Sequence, residues 1–497
     1  MSHTLVNEPL MRGLAASGHH VDVYRHFIPP DAAKSNVTYH RLTKAGSLVA
    51  GLDLTLFEKS VLLGPAMLLQ KGQEDCAALF SDPAILELIR SDKKYDLFIT
   101  ELFNTDCYLG FGHHFKVPVV ALSPSPIIPW GNARFGNPDN PSYVPSMHSG
   151  STDDMSFSER LVNAAIVYYS VLTKRLIYEP LDQQWVDKAF GPGAPAVSDM
   201  ARDTSLLLTN TFHGLTLPRP LATNVVEIGG IHIDAFKPLP QDLEQFVSGA
   251  KDGVILFSLG SMIRASSLPK ESAAALLRGF GALKQRVVWK WEDEAPGPVP
   301  DNVRLSKWLP QFDVICHNNT RLFIGHGGLL STTEAAICGV PLLGVPVFGD
   351  QHTNVAAVAK AGAGRSLPFG TLKDADLFLK NVKELLEDPS YKKNASLLSK
   401  RFRDRPMSPL DTAVYWTEYV IRHKGAPHLR GGARNLAWYQ EALLDVFAAV
   451  FLLLAAALLV LWKVLRAVLR LVRRVGCPLV GACDQKKDKS GGKKKKQ

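Results

Sequence analysis

Short apolar runs alternate with stretches of helical periodicity along most of the chain. Apolar runs bounded by glycine, proline or polar residues are typical of buried parallel strands. They lie at Val21–Tyr24, Leu97–Thr100, Val117–Leu122, Leu206–Asn210, Gly253–Ser261, Arg286–Lys290, Val303–Leu305, Leu322–Ile324 and Val340–Phe348. Helical spacing predicts helices at Leu10–Ala16, within Ser158–Phe190 and at Ser331–Cys338. Such an alternation predicts an α/β protein built from doubly wound domains.

The stretch Ser158–Phe190 has its apolar residues at helical spacing. They are Leu161, Ala164, Ala165, Tyr168, Val171, Leu172 and Ile177. A stripe of this kind packs on a core or lies on a membrane surface, and we favour the core because most such stripes face one.

A second apolar stretch, Val446–Trp462, is 17 residues long and carries no charge. With Leu443 and Leu444 it approaches the roughly 20 residues that a helix needs to cross a bilayer. A buried core helix is the alternative, but length and the basic residues that follow favour a transmembrane helix at 443–462.

Charge is concentrated behind this stretch. From Lys463 onward the chain carries twelve Lys and Arg against two Asp, and since the whole chain has a net charge of +9, the part before Lys463 is nearly neutral. This distribution argues against nucleic acid and indicates membrane lipid as a partner. The positive-inside rule predicts a cytosolic tail at 463–497 and globular domains in the lumen. The ending Lys494-Lys495-Lys496-Gln497 resembles an endoplasmic-reticulum retrieval signal, and a polybasic lipid-binding tail is the alternative.

The 497 residues, 46% of them hydrophobic, suffice for two domains of ordinary size. We predict an N-terminal domain at 1–217, a turn-rich linker at 218–240 and a C-terminal domain at 241–430. Between the strands of the first domain, the loop Gly131–Asp153 is rich in Gly, Pro, Asn and Ser.

The motif around His326 carries the clearest chemistry. A strand, the turn His326-Gly327-Gly328 and a helix start follow each other, and a helix N-terminus presents free N–H groups to an anion such as a pyrophosphate. The His326 imidazole can donate to a phosphate oxygen. Glu334, about two helical turns on, can accept from a pair of ribose hydroxyls.

Side chains near this motif suit the rest of a nucleotide sugar. Asp350 and Gln351 follow an apolar run and fit the vicinal hydroxyls of a sugar. Upstream, Trp308 offers a flat face to a base, and Gln311 offers an amide.

Together these residues resemble the signature of the UDP-glycosyltransferases, and HGGLLSTTEA with ELFNTDC resembles the arthropod branch. The resemblance implies the two-domain GT-B fold and a metal-independent inverting enzyme without cofactor, in which the UDP-sugar is a co-substrate and UDP-glucose its usual form. It assigns Ser331 to the pyrophosphate, and Ser258, Gly260, Ser261 and Gly328 to the donor site. Leu330 stands where many relatives have an Asn that contacts phosphate.

The resemblance also supplies a catalytic base. His3 belongs to a Ser-His pair that opens the first helix in the family, and a neutral imidazole can deprotonate an acceptor hydroxyl. A carboxylate normally orients this base. Asp106 and Glu101 compete for that role, and we favour Asp106. The implied acceptor is a small lipophilic alcohol or phenol.

The other chemistry-bearing residues give weaker signals. Cys76, Cys107, Cys316 and Cys338 show neither a disulfide framework nor zinc spacing, and Cys477 and Cys483 follow the apolar stretch. Sequons at Asn36, Asn318 and Asn394 fit a lumenal location.

In the family, a signal peptide and a first strand precede the first predicted helix, and we expect both to be absent here. A truncated, non-catalytic isoform that partners full-length transferases is therefore an alternative function. A lipid-linked sugar transferase is a third. The sequence leaves homo- or hetero-oligomers open.

Overall fold

The computed structural model describes residues 2–44, 63–261 and 263–476. It divides into two compact units, one ending at Arg434 and one beginning at Asn435. The larger unit contains all the strands. They are β1 Val21–Arg25, β2 Val37–Arg41, β3 Phe98–Glu101, β4 Val119–Ser123, β5 Leu206–Thr209, β6 Val225–Glu227, β7 Val254–Ser258, β8 Arg286–Lys290, β9 Val303–Ser306, β10 Thr320–Gly325, β11 Leu342–Gly344 and β12 Gly364–Ser366.

Parallel pairing organises these strands into three sheets. β1 pairs with β2, a four-stranded sheet has the order β3-β4-β5-β6, and a six-stranded sheet has the order β12-β11-β10-β7-β8-β9. Strands β4, β5 and β7 are buried along their whole length, which explains their continuous apolar sequences. In open parallel sheets, ligands bind at the loops that follow the carboxyl ends of the strands. The loops after β3, β7, β8 and β10 are therefore candidates for a ligand site.

Helices cover the sheets of the larger unit. They lie at Ser2–Ala16, Leu63–Leu79, Pro83–Arg90, Gly110–Phe115, Phe157–Thr173, Glu179–Phe190, Val197–Arg202, Gln241–Ser248, Lys270–Gly281, Gln311–Cys316, Leu329–Cys338, Gln351–Lys360, Ala375–Glu387, Pro389–Arg403 and Pro409–Arg422. The predicted strands at Arg286–Lys290 and Val21–Tyr24 and the predicted helix at Ser331–Cys338 match observed elements closely. The first helix begins at Ser2, well before the predicted Leu10.

The helix Pro409–Arg422 packs on the N-terminal domain. Its Ala413 and Val420 share an apolar cluster with Leu10 of the first helix and Leu122 of β4. The predicted range 241–430 therefore does not describe one packing unit, because the chain returns to the first domain after the second is complete.

Two disulfides correct the expectation that the cysteines show no framework. Cys76 bonds to Cys107, and Cys316 bonds to Cys338. The first links the helix Leu63–Leu79 to the segment after β3. The second links the ends of the helices Gln311–Cys316 and Leu329–Cys338. The sequence did not predict either disulfide, because the two cysteines of each pair lie far apart along the chain and meet only in the folded protein.

The stretch 157–190 also departs from its prediction. It forms helices at Phe157–Thr173 and Glu179–Phe190 joined by a π-helical turn at Lys174–Tyr178. Five residues of the predicted core-facing stripe are instead exposed: Leu161, Ala165, Tyr168, Leu172 and Ile177. The buried face carries Asn163, Ile166, Val167 and Ser170.

The smaller unit contains the helices Trp438–Glu441 and Leu444–Gly476. The second has 33 residues, or about 50 Å at 1.5 Å per residue, which exceeds the ~30 Å of a hydrocarbon core. It could span a membrane by length and composition. It continues beyond the predicted end at Trp462 through the basic residues to Gly476. Cys477, Cys483 and the predicted retrieval signal lie outside the described residues.

Candidate active site

The turn after β10 holds His326 in a tight pocket. A Cβ at Gly260 would lie 2.5 Å from the His326 Cε1, and a Cβ at Gly328 would lie 2.5 Å from its Nε2. Gly260 also has a φ of +79°, a conformation that other residues rarely adopt. Only glycine therefore allows the two loops to close on the imidazole.

Burial and, to a smaller extent, the nearby Lys290 charge together lower the pKa of His326 to about 4. The imidazole is neutral at pH 7. Among the described residues its buried Nδ1 has no hydrogen-bond partner. A buried ring nitrogen without a partner is suited to a ligand hydrogen bond, as the sequence predicts for a phosphate.

Lys290 is a site residue that the sequence reasoning missed. It ends β8, and its ammonium donates to the Gly260 carbonyl at 2.6 Å and lies 3.4 Å from the Glu292 carboxylate. The sequence feature that could have identified Lys290 is its position at the end of a predicted strand, because the carboxyl ends of parallel strands meet at the edge of the sheet where ligands bind.

Two residues that the sequence predicts to contact the nucleoside are hydrogen-bonded to each other. Gln311 Nε2 donates to Glu334 Oε2 at 2.6 Å. Burial raises the pKa of Glu334 to about 7, while the Gln311 hydrogen bond opposes that rise. Trp308 is 71% exposed, so its indole is open to a stacking partner.

The serines of the site are largely engaged in shaping loops. Ser331 Oγ donates to the Gly328 carbonyl at 3.0 Å, and Ser258 Oγ accepts from the Gly260 N–H at 3.3 Å. Ser261 is exposed. Leu330 packs with the apolar cluster of the N-terminal domain. At the position where many relatives have an Asn, this chain therefore has an apolar contact between the two domains.

Asp350 and Gln351, both predicted to bind the sugar, have different hydrogen-bond partners within the protein. Gln351 Oε1 accepts from the N–H groups of Val347 and Phe348 at 2.8 and 3.1 Å, which fixes the loop after β11. Asn354 donates to Asp350 at 2.9 Å. Burial raises the pKa of Asp350, against the effect of that hydrogen bond.

His3 and Glu101 form a direct pair in the N-terminal domain. His3 Nδ1 lies 2.6 Å from Glu101 Oε1, and Asn7 donates to Glu101 Oε2 at 3.4 Å. Phe103 contacts the imidazole edge to face with ring centroids 4.6 Å apart. The geometry fits an Nδ1–H donor and leaves Nε2 free as a base.

The charges of His3 and Glu101 shift each other's pKa. Burial lowers the pKa of His3, but the Glu101 carboxylate raises it more, and Asp350 contributes in the same direction. The pKa of Glu101 is lowered by His3 and Asn7 against its own desolvation. The influence of Asp350 indicates that the predicted sugar-binding loop lies within electrostatic range of His3.

The preferred partner of His3 is therefore corrected from Asp106 to Glu101. Asp106 is buried and accepts from Arg134 at 2.8 and 3.0 Å, and its other ion pair is with Lys174 at 2.9 Å. These cations hold the pKa of Asp106 well below its usual range despite burial. Asp106 lies in the loop after β3, whereas Glu101 is the last residue of that strand.

A cleft with about 710 Å³ of empty volume lies between the two domains. Its lining is mostly apolar and includes Ile127, Met147 and Leu215 from the N-terminal half and its linker, and Leu329 and Asn354 from the donor side. His3 does not line it, but Asn354, which donates to Asp350, does. The cleft therefore lies next to the loop that the sequence predicts to bind the sugar.

Among the described residues, no group of three or more His, Cys, Asp or Glu is placed to hold a metal ion. The expectation of a metal-independent, cofactor-free reaction stays a prediction.

Comparison with known proteins supports the resemblance seen in the motifs. The family described as "UDP-glucoronosyl and UDP-glucosyl transferase" matches residues 57–477. UDP-glycosyltransferase UGT5 of Dactylopius coccus is 38% identical over 94% of this chain and 90% of its own length. UDP-glucosyltransferase 2 of the same insect is 38% identical over 90% of this chain and 87% of its own.

Solved structures share the fold at lower identity. The glycosyltransferase VinC in complex with DTDP has a TM-score of 0.57 at 18% identity, covering 85% of this chain and 97% of its own. SnogD from Streptomyces nogalater has a TM-score of 0.56 at 19% identity, with 84% and 96% covered. The predicted GT-B arrangement is confirmed.

Proposed function

Because the chain belongs to the UDP-glucuronosyl and UDP-glucosyl transferase family, we propose that it transfers a hexose, glucose, from UDP to a hydroxyl of a small lipophilic acceptor with inversion. The observation that carries the proposal is the His3–Glu101 pair, in which Glu101 engages Nδ1 and so directs Nε2 to the acceptor, and in which the pKa of His3 also responds to the charge of Asp350. A base facing the sugar-binding loop is what an in-line displacement at the anomeric carbon requires.

The proposed reaction balances as a single displacement. His3 Nε2 takes the proton of the acceptor hydroxyl, and the oxygen forms a bond to the anomeric carbon. The bond from that carbon to the β-phosphate oxygen breaks, and its electron pair leaves with UDP. Glu101 stabilises the imidazolium that results. An α-linked donor then gives a β-glycoside.

Donor binding is assigned to the C-terminal domain. The helix start at Leu329, the neutral His326 and Lys290 would meet the growing negative charge on the leaving phosphate. Gln311 and Glu334 would bind the nucleoside, and Trp308 would stack on uracil. With these groups present, the proposal includes no metal ion.

Glucose is proposed on the name of a relative, the insect UDP-glucosyltransferase 2. A lipophilic acceptor is supported by the apolar cleft between the domains. Transfer assays with UDP-glucose and UDP-glucuronic acid against a panel of phenols and steroids test both assignments. Faster turnover with UDP-glucuronic acid would overturn the first.

The decisive variant is His3→Ala in the full chain. We expect it to abolish turnover while UDP affinity, measured by calorimetry, stays within about twofold, since His3 is outside the donor loops. Glu334→Ala should instead weaken UDP binding. A wild-type chain that binds UDP but transfers no sugar with any acceptor would favour the alternative of a non-catalytic partner.

The proposed location is the endoplasmic-reticulum membrane, with the larger unit in the lumen. Two disulfides fit an oxidising compartment, and the basic residues that follow the apolar stretch fit a cytosolic end. Asn36 and Asn318 are exposed, whereas the Asn394 amide donates to the Gly362 carbonyl. Protease protection of the larger unit in sealed microsomes tests this orientation.

A further inference from the structure

A disulfide joins the two helices that carry the predicted nucleoside contacts. Cys316 ends the helix Gln311–Cys316, and Cys338 ends the helix Leu329–Cys338. The bond between these cysteines closes a loop of the chain that contains β10. It therefore links the helix that precedes this strand to the helix that follows it.

A hydrogen bond joins the same two helices nearer to their ligand groups. Gln311, the first residue of the shorter helix, donates from Nε2 to Glu334 Oε2 at 2.6 Å. Glu334 and Cys338 are four residues apart, so they lie on one face of the longer helix and about 6 Å apart along its axis. The disulfide and the hydrogen bond therefore leave the same face of that helix, about one turn from each other.

The shorter helix cannot define its own position. It has six residues, fewer than the roughly 12 that an isolated helix needs for marginal stability in water. Its Val314 and Ile315 are fully buried in an apolar cluster that also contains Ala335 and Ile337 of the longer helix. Because apolar burial is not directional, these contacts keep the helices together but do less to fix rotation and sliding. A covalent bond at one end restricts both movements.

Other bonds keep the shorter helix folded without the disulfide. The Asp313 carboxylate accepts from the Lys237 N–H at 2.7 Å, and the Val314 carbonyl accepts from the Thr320 hydroxyl at 2.5 Å. Loss of the disulfide should therefore change the placement of this helix within a folded domain.

We infer that the Cys316–Cys338 disulfide is a positioning element of the nucleoside site, which holds Gln311 and Glu334 in alignment before UDP binds. Ordering the binding groups in advance lowers the entropy that is lost on binding. The cysteines act through these two residues and not on the reacting atoms. The inference rests on the proposed function, in which Gln311 and Glu334 bind the nucleoside.

Calorimetry of UDP binding to the full detergent-solubilised chain tests the inference. The Cys316→Ala/Cys338→Ala variant should bind UDP about tenfold more weakly, the effect of losing one well-placed hydrogen bond. Its kcat at saturating UDP-glucose should stay within about twofold of the wild-type value, because the interaction is made before and during the reaction alike.

The Cys76→Ala/Cys107→Ala variant is the matched control. Its cysteines are 31 residues apart in sequence, against 22 for the other pair, so removal of either disulfide should lower stability to a similar extent. Because this pair lies in the N-terminal domain, the UDP affinity of the control should stay within about twofold of wild type. An equal loss of UDP affinity in both variants would overturn the inference.

A Glu334→Ala background separates positioning from general support of the domain. Once Glu334 is absent, removal of the Cys316–Cys338 disulfide should change UDP affinity by less than about twofold, because the pair through which it acts is gone. A full tenfold loss in that background would contradict the inference. Peptide mapping that found Cys316 and Cys338 as free thiols in the chain isolated without reductant would also contradict it.

Failure of the proposed function gives a different result. A wild-type chain without affinity for UDP would overturn both proposals. Equal UDP affinity in the wild type and in the Cys316→Ala/Cys338→Ala variant would overturn the inference alone. The affinity measurement requires no turnover, so it does not depend on the proposed catalysis by His3.

Discussion

At the residue scale, the proposed chemistry depends on the protonation of two histidines with opposite environments. His326 is buried beside a cation, and its pKa falls to about 4. His3 is paired with a carboxylate, and its pKa rises above its ordinary value. His326 is therefore held neutral, whereas the Glu101 carboxylate favours the protonated form of His3.

The Glu101→Gln variant tests the role of that carboxylate. Only neutral His3 can accept a proton, so kcat should fall as pH drops through its raised pKa. Removing the Glu101 charge lowers that pKa, and the acid limb of the kcat profile should therefore move to lower pH. The maximum of kcat should fall about 100-fold or more, since the imidazolium loses its counter-charge. A lower plateau with an unmoved acid limb would show that Glu101 only supports the fold.

The Gly260→Ala variant tests the packing around His326. Its new methyl group would lie 2.5 Å from the imidazole and its φ would remain at +79°, so the ring must shift. We expect the KM for the UDP-sugar to rise about tenfold or more, a loss of about 1.4 kcal/mol. Gly431→Ala is the matched control, because a Cβ there meets nothing within 4 Å. An equal KM in both variants would contradict this account.

At the element scale, a buried ion cluster holds the 157–178 stretch on its domain. Lys174 neutralises Asp106 and Asp182, and Arg134 completes the balance. Burial disfavours the Lys174 ammonium, but the two carboxylates raise its pKa above the ordinary value. The cluster joins the loop after β3 to two helices, so it also supports the strand end that carries Glu101.

The Lys174→Met variant tests this cluster. It leaves two carboxylates with one cation in a buried place, and we expect a loss of about 3–5 kcal/mol in the free energy of unfolding. Arg175→Met, next in sequence but exposed, should change it by less than about 0.5 kcal/mol. Thermal unfolding of the detergent-solubilised chain measures both. Equal stabilities would mean that the cluster is not needed for the fold.

At the scale of the whole molecule, the two domains carry separate halves of the proposed site. His3 and Glu101 come from the N-terminal domain, and Asp350, His326 and Glu334 come from the C-terminal domain. The return of the helix Pro409–Arg422 to the first domain ties the two together.

Metal removal tests the site as a whole. Because the proposed mechanism assigns only protein groups to the departing phosphate, incubation with EDTA should leave transfer from UDP-glucose within about twofold of the untreated value. Re-addition of Mg²⁺ is the control. An activity that EDTA abolishes and Mg²⁺ restores would require a bound cation in the mechanism.

The α/β alternation, the donor motif and the apolar C-terminal helix can be predicted from the amino-acid sequence alone. Each depends on local physics: buried strands have apolar runs, and a strand, a glycine turn and a helix start place His326 and Glu334 within one short segment.

The choice between Glu101 and Asp106, the pairing of the cysteines and the outward direction of Leu161 and Leu172 follow from the packing of the folded chain. His3 and Glu101 are 98 positions apart, and Lys174 meets Asp106 and Asp182 only after the helices have packed. Contacts between distant segments depend on how the helices and strands pack against each other. The spacing of apolar residues along the chain does not predict which face of a helix its neighbours will cover.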